Sequence, residues 1–299
     1  GTDGFDTLEG GDGDDTMRGG NDGDLLVGGA GDDLMYGEAD ADTFRMENNF
    51  GNDTIVGGEA GDDHDIVDLS AMTGPVTVTY TGTESGFITD GTDTIHFSEI
   101  EEMILTDEDD VVDARADGVG VQIDAGAGND TVTGGAGDDR FTGGTGDDEF
   151  VLTEAGGADR IMDFDLTDDD TNGFFNDQLD VSELTGGSGP GGTVRTLDVS
   201  TGDDGFGNAL LTFPGGEQLV LDGVDPSQMS THAQLFSAGI PCFTPGAMIR
   251  TARGERPVEQ IRVGDLIQTA DNGLQSVVWI GRRLLSSANL AEHPHLRPI

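Results

Sequence analysis

The chain has 299 residues, 60 acidic side chains against 13 basic ones, a net charge of -47 and only 34% hydrophobic residues. So much repulsion facing so little apolar area excludes an ordinary self-sufficient core and leaves two outcomes, disorder or a fold completed by bound cations. The acidic balance argues against nucleic acid as a partner, the single cysteine excludes an internal disulfide, and the absence of an 18-residue apolar run excludes a transmembrane helix.

The charge is unevenly placed. Residues 1–240 hold six arginines against 55 acids, a net of -49, whereas residues 241–299 hold seven arginines against five acids, a net of +2. That step predicts a domain boundary at 240/241. There is no lysine. A halophilic surface would share this composition, but it would scatter its acids and not phase them with glycines.

Taken in order, Gly1 to Arg45 is five nine-residue units: GTDGFDTLE, GGDGDDTMR, GGNDGDLLV, GGAGDDLMY, GEADADTFR. Position six is always aspartate (Asp6, Asp15, Asp24, Asp33, Asp42) and position eight always apolar (Leu8, Met17, Leu26, Met35, Phe44). The first four positions, mostly glycine, can turn tightly, and the last three alternate like a short strand. Each unit reads as a turn plus a strand with one inward side chain. The phase then breaks, and Gly51, Asp53 and Ile55 restate the motif eleven residues after Asp42. A second array runs from Ala125 to Val151, with Asp130, Asp139 and Asp148 at position six; Gly157, Asp159 and Ile161 repeat the eleven-residue break. Asp42 and Asp53 thus map onto Asp148 and Asp159 at a constant offset of 106, which reads as two copies of one block.

Between the arrays, Pro75–Tyr80 alternates as a strand, while Gly91–Phe97 and Glu108–Ala114 keep the strand but lose turn glycines. After a Gly/Ser/Pro loop from Thr185 to Thr193, strands are expected at 194–199, 209–213 and 218–221, the last two paired through Pro214-Gly215-Gly216. This segment would cap the exposed end of a stack. The chain opens on Gly1 inside a repeat and reads as a piece of a longer protein, with any targeting signal outside it.

The array resembles the RTX nonapeptide family, GGxGxDxUx, whose repeats coil into a parallel β-roll with calcium in the turns. The ending ADRIMDF…NDQLDVS is similar to the last roll strands of serralysin-type secreted proteases, although no His-Glu-x-x-His or Gly-x-Ser-x-Gly is present. Calcium takes six to eight oxygens from carboxylates and carbonyls, which glycine turns and following aspartates can offer. The resemblance implies that units n and n+2 stack and share an ion, so that Asp15 neighbours Asp33 and folding is coupled to binding. The metal candidates are Asp6, Asp15, Asp24, Asp33, Asp42, Asp53, Asp130, Asp139, Asp148 and Asp159, with turn glycines Gly11, Gly13, Gly29, Gly31, Gly135, Gly137, Gly144 and Gly146. Asp15, Asp33, Asp139 and Asp148 sit in units matching every fixed position. Asp42, whose unit carries Glu38, Asp40 and Ala41, reads as a terminal half-site. The isolated His64, His96 and His232 read as solvated.

From Pro241 the character changes. Cys242 opens PCFTPGAMIRTARGERPVEQIRVGDLIQTADNGLQSVVWIGRR, which resembles the start of a Hint (Hedgehog/intein) self-processing domain. By position Cys242 matches that family's nucleophile, which the resemblance implies attacks the preceding carbonyl in an N-to-S acyl shift. His293 and His295 do not match the family's activating histidine motif, and 241–299 is expected to be the N-terminal part of a Hint fold, unable to cleave by itself.

The expected architecture is all-β: a parallel β-roll in two blocks with β caps, then a partial Hint fold. Its expected divisions are a first block (1–74), degenerate linking coils (75–124), a second block (125–182), a β cap (183–240) and the Hint part (241–299). The expected function is calcium-driven folding of a secreted, extracellular bacterial module with a type I secretion channel as partner. The alternatives are a precursor cleaved before Cys242 and a calcium-stiffened adhesin or surface-layer spacer. No surface or carbohydrate partner is legible.

Overall fold

The computed structural model describes residues 1–299 except 62–63, 170, 190–191, 242–247, 253, 263, 270–272 and 277–299. Short strands alternate between two sheets. The first half comprises β1 (Thr7–Asp12), β2 (Thr16–Gly20), β3 (Leu25–Ala30), β4 (Leu34–Ala39), β5 (Thr43–Arg45), β6 (Thr54–Ala60) and β7 (Ile66–Asp68). The middle adds β8 (Thr77–Gly82), β9 (Ser85–Thr89), β10 (Thr94–Ser98), β11 (Glu102–Ile104), β12 (Val111–Asp113) and β13 (Gln122–Asp124). There follow β14 (Thr131–Thr133), β15 (Arg140–Thr142), β16 (Glu149–Val151), β17 (Ala158–Ile161) and β18 (Gln178–Asp180). Last come β19 (Ser200–Asp203), β20 (Ala209–Thr212), β21 (Gln218–Leu221) and a short helix α1 (His232–Ser237).

An eleven-stranded sheet has the order β1-β3-β5-β7-β11-β13-β15-β17-β21-β20-β19, and a ten-stranded sheet the order β18-β16-β14-β12-β8-β9-β10-β6-β4-β2. Odd and even units therefore alternate sheets, and units two apart pair in parallel, as Thr7 with Leu25 and Thr16 with Leu34 show. This is an all-β parallel roll whose two sheets run unbroken through both glycine-aspartate arrays and the stretch between them. In that middle stretch β9 pairs antiparallel with both β8 and β10. The ten-stranded sheet thus carries three strands, β8 to β10, between β6 and β12, where a regular coil would carry one.

The position-eight side chains fill the space between the sheets: Leu26, Met35, Phe44 and Phe150 are 0% exposed. Phe150 lies between Phe141 and Phe164, with centroids at 6.1 and 6.2 Å. One inward residue in each three-residue strand is the arrangement that the nine-residue period dictates.

Three details differ from expectation. Residues 194–199 form turns and not a strand, because Asp198 ties its N–H to Arg195 O (2.8 Å) and its Oδ2 to Arg195 N–H (3.0 Å); the strand begins at Ser200. The 106-residue offset joins opposite sides of the roll: Asp42 precedes β5 in the eleven-stranded sheet, whereas Asp148 precedes β16 in the ten-stranded one. Likewise β7 and β18, alike in sequence, lie in different sheets. The cap strand β21 pairs parallel with β17 and antiparallel with β20 through the Pro214–Gly216 turn, closing that end. Beyond it, β22 (Met248–Thr251), β23 (Gly254–Pro257), β24 (Leu266–Thr269) and β25 (Gly273–Ser276) form a separate four-stranded antiparallel sheet.

Candidate calcium-binding edges

The turns stack into two edges, and a ladder of aspartates runs along each. On one, the Asp6 N–H donates to Asp24 Oδ1 (2.7 Å), Asp24 N–H to Asp42 Oδ1 (2.7 Å) and Asp42 N–H to Asp65 Oδ1 (2.7 Å). Asp65 N–H then donates to Glu101 Oε2 (2.6 Å). Further along the same edge, Val121 N–H donates to Asp139 Oδ1 (2.9 Å) and Asp139 N–H to Asp159 Oδ1 (3.0 Å). On the other edge Asp15 N–H donates to Asp33 Oδ1 (2.8 Å) and Asp33 N–H to Asp53 Oδ1 (2.8 Å). After the β8–β10 insertion the series resumes with Asp110, Asp130, Asp148 and Asp177, each N–H meeting the next carboxylate at 2.7 to 3.2 Å.

Beyond Asp6 and Asp15, which open the two series with their N–H groups alone, each ladder carboxylate spends one oxygen on a neighbouring N–H. The other, Oδ2, is buried without a hydrogen-bond partner in Asp24, Asp33, Asp53, Asp130 and Asp148. A buried unpartnered carboxylate oxygen is costly, and its recurrence on both edges is the main electrostatic feature of the roll. Burial, then the carboxylates stacked above and below, push Asp53 and Asp177 up to about 7, Asp130 and Asp159 to about 8, and Asp139 and Asp148 to about 6. Asp33 and Asp110 are raised for the same first cause. Such groups require either protons or a cation.

A cation fits. At Gly19 an added Cβ would lie 2.5 Å from Asp24 Oδ2 and 2.7 Å from Gly37 O, so a carboxylate oxygen and a stacked carbonyl converge on a point that only glycine leaves free. Gly10 is bordered in the same way by Asp15 Oδ2 and Gly28 O. Among the described residues no three His, Cys, Asp or Glu side chains cluster as metal ligands. The donor set is therefore backbone carbonyls plus individual carboxylates, the hard oxygen chemistry that suits calcium.

All ten predicted aspartates lie on these ladders. Asp42 is held like its neighbours, 1% exposed, with its Oδ1 accepting the Asp24 N–H, despite the substituted turn before it. That turn persists because Glu38 (φ 87°) and Asp40 (φ 68°) take up left-handed angles. Of the predicted glycines, Gly11, Gly13, Gly29, Gly31, Gly137, Gly144 and Gly146 have positive φ, while Gly135 lacks one and instead permits close approach to Ala114 O. Sequence reading missed Asp65, Asp110, Asp177 and Glu101, along with the position-one glycines. Asp65-Ile66-Val67, Asp110-Val111-Val112 and Asp177-Gln178-Leu179 keep the aspartate two residues before the inward side chain, the one signal that survives without a glycine turn. Of the histidines, His64 Nε2 lies 2.7 Å from Glu102 Oε2 and His232 Nδ1 lies 3.2 Å from Thr196 O. Cys242 lies outside the described residues.

Among the described residues no helix is long and apolar enough to cross a membrane. No match was found among curated proteins. Among solved structures, the extracellular lipase LipA from Serratia marcescens aligns at 21% identity and a TM-score of 0.26, over 77% of this chain and 39% of that one. The chain thus spans about two fifths of that lipase's length. The family described as RTX calcium-binding nonapeptide repeat (4 copies) matches residues 1–26, 18–45 and 122–150, and the Hint domain family matches residues 241–299. The two glycine-aspartate arrays are RTX calcium-binding repeats, followed from residue 241 by a Hint domain region.

Proposed function

We propose that this chain is a calcium-driven folding module of a secreted protein, joined to a self-processing unit. The buried, unpartnered Oδ2 atoms on both edges carry the reading. Without a cation, the chain would have to bury carboxylates whose charge opposes the stack. With calcium, each ion would be held by position-six carboxylates and the carbonyls of glycine turns, supplying the positive charge that the two edges lack. Asp24, Asp33, Asp53, Asp130 and Asp148 would point an oxygen to it, and the position-one glycines would leave it room. Folding and binding are then one equilibrium, and extracellular modules of this kind work at roughly 10⁻⁴ to 10⁻³ M calcium. A chain extended by repulsion where calcium is scarce and rigid where it is abundant suits export through a type I secretion channel. Circular dichroism during a calcium titration tests this: β-structure is expected to appear cooperatively and vanish with chelator, and a chelator-insensitive spectrum overturns it.

The Hint match at 241–299 favours a second, attached activity. Cys242 would attack the Pro241 carbonyl and exchange a peptide bond for a thioester, a thiol being both a good nucleophile and a good leaving group. Thiol-dependent release of an N-terminal fragment ending at Pro241, weighed by mass spectrometry, is the expected outcome for the protein carrying its whole Hint domain. An intact chain under those conditions refutes it.

A further inference from the structure

The carbonyl that this chemistry would attack is already engaged: Pro241 O accepts a hydrogen bond from the Thr196 N–H at 3.0 Å. Thr196 is 1% exposed and sits in the Arg195–Asp198 turn, which Asp198 closes through both its N–H and its carboxylate. Asp198 Oδ2 also accepts the Ser188 N–H (2.9 Å), so the loop is braced from two sides. On the other side of Thr196, its carbonyl faces His232 Nδ1.

The residues leading to Pro241 are fastened to the final coil of the roll. Leu179 N–H, in β18, donates to Ala238 O (2.7 Å), and the Gln178 amide donates to Ser237 O (2.9 Å). Gly239 crosses β18 so closely, with φ at 98°, that a Cβ there would lie 2.6 Å from Leu179 O. Ile240 is fully buried and its N–H donates to Leu235 O (3.0 Å). Two residues before Leu179 stands Asp177, the last carboxylate of its ladder, whose Oδ1 accepts the Asp148 N–H.

We propose that the roll's C-terminal cap supplies a catalytic hydrogen bond to the Hint reaction, and that calcium gates cleavage by forming the coil that holds the scissile carbonyl against Thr196. The inference rests on the self-processing reading above. In the step concerned, the Cys242 sulfur bonds to the Pro241 carbonyl carbon, the Pro241–Cys242 C–N bond breaks, and the thiol proton passes to the freed Cys242 amine. Added dithiothreitol or hydroxylamine then displaces the thioester. Negative charge develops on Pro241 O during the attack, where the Thr196 N–H is already placed, and one such donor is worth on the order of 10²-fold in rate.

The test uses the full-length protein with dithiothreitol or hydroxylamine, following release of the fragment ending at Pro241 by mass spectrometry with calcium and with chelator. Cleavage at least about 10²-fold faster in calcium is expected. Thr196→Pro, which deletes the donor, should slow cleavage by about the same factor, whereas Thr196→Ala, which keeps it, should not. The calcium midpoint of β-structure should stay unchanged in both. Should Thr196→Pro fail to fold, Gly239→Ala serves: it loosens the strap across β18 and should slow cleavage about tenfold or more with the roll intact. Equal rates in calcium and chelator, or full activity in the variant that folds, overturn the gating while leaving self-processing in place. No cleavage under any condition overturns the self-processing reading and this inference with it.

Discussion

Replacing Asp130 by asparagine separates the two roles of a ladder aspartate. Asparagine keeps the volume and the oxygen that accepts the Asp110 N–H at 2.7 Å, and changes only the buried Oδ2 into an amide nitrogen. Burial and the Asp148, Asp110 and Asp109 carboxylates raise the Asp130 carboxyl from 3.8 to about 8. At about 1.4 kcal/mol per unit, holding it protonated in the calcium-free roll at neutral pH costs up to about 4 kcal/mol relative to the unfolded chain, and solvent screening at the turn edge reduces this to about 2. Asparagine carries no such cost. Calcium, however, loses a carboxylate, and even outer-shell changes weaken metal sites about 10- to 100-fold. The two effects have opposite signs. Asp130→Asn should raise the calcium concentration at half-folding several-fold and, in chelator, allow β-structure to persist to a higher pH than in the parent. Circular dichroism against calcium and against pH measures both, with Asp169→Asn on an exposed loop as the charge-matched control. A calcium midpoint equal to the control's, or a chelator pH midpoint shifted downward, refutes the assignment of Oδ2 as an ion-facing oxygen.

The pH dependence of the parent follows from the same groups. Their folded pKa values are raised, so their contribution to stability is fully present below about 3.9. It is lost as pH rises through about 6 for Asp139 and Asp148 and about 8 for Asp130 and Asp159. In chelator, β-structure should therefore grow as pH falls from 8 toward 5, and the calcium concentration at half-folding should fall over the same range, since protons and calcium stabilise the same stack; a chelator spectrum independent of pH counts against it. Gly19→Ala should raise the calcium midpoint, because its Cβ would enter the space bordered by Asp24 Oδ2 and Gly37 O. Gly4→Ala meets open space at φ 90° and should cost only about 1–2 kcal/mol of backbone strain; equal calcium midpoints for the two variants contradict the cradle. Phe150→Ala should cost about 3–5 kcal/mol in calcium, seen in calorimetry as a lower Tm, since the ring is 0% exposed between Phe141 and Phe164.

The sequence made the local unit legible because one period carries both a turn aspartate and an inward side chain. Leu26, Phe44 and Phe150 could be placed in the core by counting alone. The Pro214–Gly216 hairpin was equally plain, since a tight turn between two alternating runs admits few conformations. Strand order was not legible. An eleven-residue spacing and a nine-residue spacing both deliver the chain to the next coil, so counting could not show that Asp42 and Asp148 face opposite edges. Asp65, Asp110 and Asp177 stand in segments that read as degenerate coils or end strands, and the sequence does not mark them as ligands because their turns lack the glycines that announce a repeat. A stack already formed on either side dictates their conformation and makes up for the missing local signal. The antiparallel excursion through β9 carries no signal at all, since Ser85–Thr89 alternates as any strand does. The Thr196–Pro241 hydrogen bond joins residues 45 apart through two backbone groups, and backbone groups leave no mark on side-chain pattern.

The three-for-one strand mismatch between β6 and β12 also bears on how the module responds to load. At about 4.8 Å per strand, the ten-stranded sheet is about 10 Å wider there than its partner, and the aspartate ladder of that edge is interrupted between Asp53 and Asp110. A solenoid pulled from its ends peels one coil at a time, each coil yielding at a similar force. Here the peeling front must stop at a hairpin wedge that is tied on both sides by antiparallel bonds and has to be torn out as one piece. In a force-extension trace the module should behave as two springs joined by a catch, with one taller event dividing two series of small ones.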